Sequence, residues 1–91
     1  MTYGLEYTDI AIGHLIRLRK DEPKAYKKAQ QLLEEIKKNP TTGTGKPEPL
    51  KGDRAGQWSR RISSKHRLVY KIEEQRIVVL VLTAYGHYND K

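Results

Sequence analysis

Residues 57–84 read QWSRRISSKHRLVYKIEEQRIVVLVLTA. Their β-branched and aromatic content, interrupted by turn-forming SSK and EEQ, predicts three antiparallel strands. Trp58, Ile62, Leu68, Tyr70 and Ile72 share one parity. Side chains alternate across a strand, so a hairpin with an odd-length turn such as Ser63-Ser64-Lys65 puts all five on one face. Arg61 and Arg67 then share the opposite face. The third segment is apolar at every position from Ile77 to Leu82, the pattern of a central strand covered on both faces. It delivers Tyr85, Gly86, His87 and Tyr88 to its far end.

Upstream, TYGLEY (residues 2–7) alternates weakly as a strand would, and Thr8 and Asp9 offer side-chain oxygens to the start of a helix. That helix is expected to turn Ile12, Leu15, Ile16 and Leu18 inward until KDEP (residues 20–23), where Asp21 can cap a second helix and Pro23 suits its first turn. Ala25, Ala29, Leu32, Leu33 and Ile36 form one apolar stripe along the second helix, and Asn39-Pro40 ends it. The fold class expected is α+β: an N-terminal helical hairpin packed on a small, mainly antiparallel sheet, in the order β-α-α-β-β-β. Residues 40–56 hold four of the seven glycines and three of the four prolines, which predicts a loop of turns. Within it Glu48 sits between Pro47 and Pro49, whose rings restrict its backbone to extended conformations.

A chain of 91 residues is expected to form one small domain, residues 1–91, that buries only about 60 to 65% of its unfolded surface. It has no cysteine, which excludes disulfides and thiolate metal sites, and His14, His66 and His87 are too scattered for a recognisable metal motif. No metal and no cofactor are expected. The sequence has neither a long apolar run nor a charged-then-apolar leader, so a cytoplasmic protein with no membrane association is the expectation. The net charge of +7 favours polyanionic partners. It is concentrated around Glu48, because residues 46–71 carry eight basic residues against two acidic ones.

Glu48, Arg61, Arg67, His87 and Tyr88 can gather at one end of such a sheet. Metal-free RNA cleavage requires a base for the 2′-hydroxyl, an acid for the leaving 5′-oxygen and cations for the charge at phosphorus. A carboxylate, an imidazole titrating near neutrality and guanidinium forks supply these. Tyr85 and Tyr88 could stack on splayed bases. Each residue also has a plainer reading: a solvated loop carboxylate, a solvated strand face, tyrosines that cap the core.

GTGKPEPL (43–50), WSRRI (58–62), HRLVY (66–70) and GHY (86–88) occur in that order. Their succession resembles the YoeB/Txe-type toxins of the RelE/ParE superfamily, over about residues 5 to 88. The resemblance implies a RelE-like fold and a toxin that cuts messenger RNA in the ribosomal A site. It also implies neutralisation by a YefM-type antitoxin, and it leaves a homodimer open. By the same resemblance Glu48 is the general base, Arg67 the phosphate-binding arginine and His87 the general acid. Arg61 and Tyr88 support substrate placement, and Lys46 and Lys51 are basic positions flanking the loop. Tyr85-Gly86 before the histidine and the continuation Asn89-Asp90-Lys91 depart from the family pattern; they bear on context preference more than on chemistry. The rival reading is a non-catalytic binder of nucleic acid, ribosome or DNA gyrase, which needs the arginines but neither the carboxylate nor the imidazole.

Overall fold

The computed structural model describes residues 2–86. Strand β1 (Gly4–Tyr7) leads into helices α1 (Asp9–Asp21) and α2 (Pro23–Lys38). A two-residue strand β2 (Glu48–Pro49) follows, then a single 3-10 turn at Gly52–Arg54 and strands β3 (Gln57–Arg61), β4 (Arg67–Glu73) and β5 (Val78–Thr83). The sheet order is β1-β5-β4-β3-β2. Only β1 and β5 run parallel; the other neighbours are antiparallel. The α+β layout expected from sequence is therefore present, with one strand more than the pattern predicted. Glu48 and Pro49 pair with Ser59 and Trp58 at the edge of the sheet. A proline is tolerated there because an edge position does not require its missing N–H.

Parity explains which face is buried. Trp58 pairs with Tyr70, and Arg60 with Leu68, and directly paired residues lie on one face. That face carries Leu68, Tyr70, Val79 and Val81 and packs against Ala11, Leu18, Ala29, Leu32 and Ile36 of the two helices. Each fully buried Leu or Ile contributes roughly 1.5 to 3 kcal/mol relative to exposure. The expected odd-length turn is also present, since the main-chain N–H groups of Ile62 and Ser63 both donate to the carbonyl of His66.

Three local expectations are corrected. Ile12 and Ile16 are exposed, at 46% and 63%; the inward stripe of α1 is Ala11 and Leu18, with Leu15 packed at its edge. The phase differs by one position because small Ala11 permits close approach, which bulkier Ile12 would not. Asp21 does not cap α2. It ends α1, and Glu22 occupies the cap position without a side-chain cap bond, its carboxylate being engaged elsewhere. Lastly, β5 lies inside the sheet, but Val78, Leu80 and Leu82 are only half-buried, so its second face is less covered than a continuous apolar run suggests. Thr8 does cap α1, accepting from the N–H of Ala11 at 3.0 Å. Among the described residues no helix is long and apolar enough to cross a membrane.

Candidate active site

The loop before β2 is pinned from both sides. Arg61 donates its main-chain N–H to the carbonyl of Gly45 at 2.7 Å, and Leu50 donates to Gln57 at 2.9 Å. Gly45 (φ 85°) and Lys46 (φ 53°) are consecutive left-handed residues. A Cβ at position 45 would lie 3.1 Å from the carbonyl oxygen of Arg61 and 3.2 Å from a methyl of Leu32, so glycine is required by space as well as by φ. Pro47 and Pro49 then leave Glu48 little backbone freedom. Its side chain remains 55% exposed.

A second brace holds the start of this loop. Arg60, wholly buried, donates Nε to the Tyr70 hydroxyl at 3.1 Å and Nη1 to Glu35 Oε1 at 2.6 Å. Its remaining donors meet the carbonyls of Thr44, Thr42 and Asn39. Tyr70 in turn donates its O–H to the carbonyl of Pro40 at 2.6 Å. Glu35 accepts from the N–H and hydroxyl of Thr44 at 2.6 and 2.9 Å. The Thr44 N–H, together with its hydroxyl and Arg60, holds the Glu35 carboxyl below the usual carboxylate range, while burial pushes the Tyr70 hydroxyl up. A buried guanidinium is tolerable only when its donors are matched in this way.

Three of the candidate side chains, Glu48, Arg61 and Arg67, share the sheet face opposite the helices. Arg61 and Arg67 are direct cross-strand partners on β3 and β4. Glu48 pairs with Ser59, which pairs with Val69, on the same face. Glu48 Oε1 lies 4.0 Å from Arg67 Nη1. Two guanidinium groups set directly opposite one another repel by roughly 0.2 to 1 kcal/mol, a cost that a bound anion would remove. Between Glu48 and Val69 the Ser59 hydroxyl is buried and has no hydrogen-bond partner among the described residues.

The other sequence-predicted residues are dispersed. Lys46 is exposed on the loop before Glu48. Lys51 lies in a shallow polar hollow with Asp53, Arg54 and Gln57, near the end of β3 remote from Arg61. Tyr85 packs its ring 4.3 Å from His66 and 6.0 Å from His14, with the Arg17 guanidinium 4.3 Å over its face. Tyr85 is thereby partly buried against the core. His87 and Tyr88 lie outside the described residues. Among the described residues no group of three His, Cys, Asp or Glu side chains could hold a metal ion.

Sequence reasoning missed two features. Arg60 has the parity of Trp58 and Ile62, and a lone charge in an apolar register was the available signal. Glu22 carried none, since its partner His66 is 44 positions away. His66 is 3% exposed and bonds Glu22 Oε2 through Nε2 at 2.6 Å and the N–H of Gly86 through Nδ1 at 2.8 Å. The His66 hydrogen bond depresses the Glu22 carboxyl. His14 accepts the N–H of Ala84 at 3.1 Å; burial, with Arg17 adding to it, lowers its pKa.

Comparison with known proteins places this geometry in a family. The chain is 36% identical over 84 residues to the toxin YoeB of Synechocystis sp., covering 92% of this chain and 95% of that one. The solved YoeB/ParE toxin from Agrobacterium tumefaciens superposes with a TM-score of 0.88 at 35% identity, over 93% of this chain and 99% of that one. The toxin of a YoeB-YefM complex from Staphylococcus aureus follows with a TM-score of 0.82 at 30% identity, over 97% and 100%. A family model describing the YoeB-like toxin of bacterial type II toxin-antitoxin systems matches residues 7–88, and the chain belongs to that family.

Proposed function

We propose that this toxin is a ribosome-dependent endoribonuclease that cuts messenger RNA in the A site without a metal. The observation that carries the reading is the Glu48 carboxylate, braced between prolines and 4.0 Å from Arg67 on the basic sheet face opposite the helices. A binder of RNA has no use for a carboxylate held among arginines, because it repels phosphate; a base catalyst needs one within reach of a single hydroxyl. In this reading Glu48 takes the proton of the 2′-hydroxyl, whose oxygen attacks phosphorus. Arg67, with Arg61 opposite, binds the non-bridging oxygens as charge builds on them. The bond to the 5′-oxygen breaks, and His87 protonates that oxygen. The products are a 2′,3′-cyclic phosphate and a 5′-hydroxyl. Lys46, Lys51, Tyr85 and Tyr88 act in holding the strand, Tyr85 through the part of its ring that its packing on His66 leaves exposed.

The proposed partners follow the same family. The Staphylococcus aureus relative is found in complex with YefM, and a YefM-type antitoxin with an acidic segment suits the basic stretch 46–71. Primer-extension mapping on programmed ribosomes tests the activity. New 5′-hydroxyl ends confined to the A-site codon are expected. Ribosome binding with intact messenger would overturn the reading in favour of a binder.

A further inference from the structure

The segment leading to His87 is held by imidazole nitrogens. The N–H groups of Ala84 and Gly86 donate to Nδ1 of His14 and Nδ1 of His66, at 3.1 and 2.8 Å. The carbonyl of Gly86 accepts from the main-chain N–H of Arg67 at 2.9 Å. Both polar main-chain groups of Gly86 are thus engaged, one by His66 and one by the residue beside it in sequence. Because an amide N–H can only donate, Nδ1 of His66 must carry a lone pair. Nε2 then carries the hydrogen and donates it to Glu22 at 2.6 Å. The carboxylate therefore fixes the tautomer and the ring orientation, the role a carboxylate plays wherever one histidine nitrogen must stay an acceptor. The His66 main chain adds rigidity, since its carbonyl closes the β3-β4 turn and its own N–H donates to Ser63 Oγ at 3.2 Å.

We infer that His66, oriented by Glu22, is a positioning residue that fixes Gly86, the residue that precedes His87 in the sequence. Gly86 has φ 76°, a left-handed conformation that glycine adopts freely and that nothing in its own side chain enforces. Without an acceptor at Nδ1 only the carbonyl of Gly86 stays tethered, to the Arg67 N–H, and its left-handed conformation loses one of its two restraints. A proton donor misplaced by about 1 Å costs on the order of 10²-fold in rate. His66 does not touch substrate in this scheme. Its effect on cleavage rests on the endonuclease reading, whereas the tether itself rests on geometry alone.

Two substitutions separate the two ends of the ring. His66→Asn can present its amide oxygen near the position of Nδ1, keeping an acceptor for Gly86 while losing Glu22. His66→Gln can reach Glu22 with its amide N–H but leaves Gly86 without an acceptor. Three quantities are measured on the full chain: amide hydrogen exchange at Gly86, single-turnover cleavage on saturated ribosomes, and ribosome affinity. In His66→Asn, Gly86 should stay protected and cleavage should fall less than about 10-fold; in His66→Gln, Gly86 should exchange freely and cleavage should fall about 10²-fold, with ribosome affinity unchanged in both. If both variants lose cleavage equally, or only in proportion to lost thermal stability, His66 is a structural residue and the positioning role is overturned. Were the wild type to cut no messenger at all, the endonuclease reading would fall, and the exchange data would still decide whether His66 holds Gly86.

Discussion

Arg60 and Arg67 are seven residues apart on adjacent strands, and the fold uses them in opposite ways. Arg60 faces the helices, is wholly buried, and finds acceptors on Tyr70, Glu35 and three loop carbonyls. Arg67 faces the other way, opposite Arg61 and 4.0 Å from Glu48. One residue type braces a loop on one face of the sheet and sets positive charge beside a carboxylate on the other, and strand parity decides which. The two are connected, because the loop that Arg60 braces runs on to Glu48.

The strongest way to break this contrast is to remove the buried guanidinium. Arg60→Met should destabilise the protein by about 3 to 5 kcal/mol, because Glu35 loses its charged partner and three carbonyls lose their donors. Urea denaturation measures this, and a loss below about 1 kcal/mol would mean that the loop is held by other contacts. Glu48→Gln tests the opposite face. It should leave stability within about 0.5 kcal/mol, as expected of a half-exposed side chain, while single-turnover cleavage falls roughly 10²- to 10⁴-fold. If cleavage is unchanged, Glu48 is a solvated loop carboxylate. Arg67→Gln sharpens the comparison with Arg60 directly: the substitution keeps a planar donor head and part of the stem, so the loss of stability should be smaller than that of Arg60→Met, with a large loss of cleavage. A destabilisation matching that of Arg60→Met would erase the distinction between the two arginines.

The sequence made the sheet face legible because alternation has a period of two and seven of its residues had to be assigned consistently. Arg61 and Arg67 fell on one face and Trp58, Tyr70 and Ile72 on the other, as the register has them. It made the proline brace around Glu48 legible as well, since proline acts locally. What it could not show was the pairing of Glu48-Pro49 with β3, because a two-residue strand has no period to read. Nor could it show the phase of α1, where Ile12 and Ile16 looked as buriable as Ala11 and only the tertiary fit chooses. The carboxylate-histidine pair was hidden for the same reason: Glu22 and His66 meet only after the helices have docked on the sheet.

The smallest effect expected lies in pH, where the loop brace and the tail tether should separate. Glu35 belongs to the brace, and its carboxyl is depressed in the folded protein, chiefly by the N–H of Thr44. An acid with a depressed folded pKa stabilises fully above its unfolded value, and that stabilisation is lost as pH falls through the folded value, because the unfolded chain binds the proton more readily. The brace should therefore weaken only below the ordinary carboxylate value of 4.5. His14 belongs to the tether, and burial lowers its pKa from 6.5. The sign is the same, since the unfolded chain again takes up the proton first, but the window opens higher, just below 6.5. Stability should thus decline in two stages on acidification, each contributing a slope below about 1.4 kcal/mol per pH unit, the ceiling for one proton. Glu35→Gln should make the lower stage shallower, the depressed Glu22 carboxyl supplying what remains of it, and leave the upper one. His14→Asn, which can still offer an acceptor to Ala84, should flatten the upper stage alone. Denaturation midpoints collected between these two windows decide it, and a single transition that both substitutions alter equally would show that brace and tether unfold as one unit rather than as two separately titrating ones.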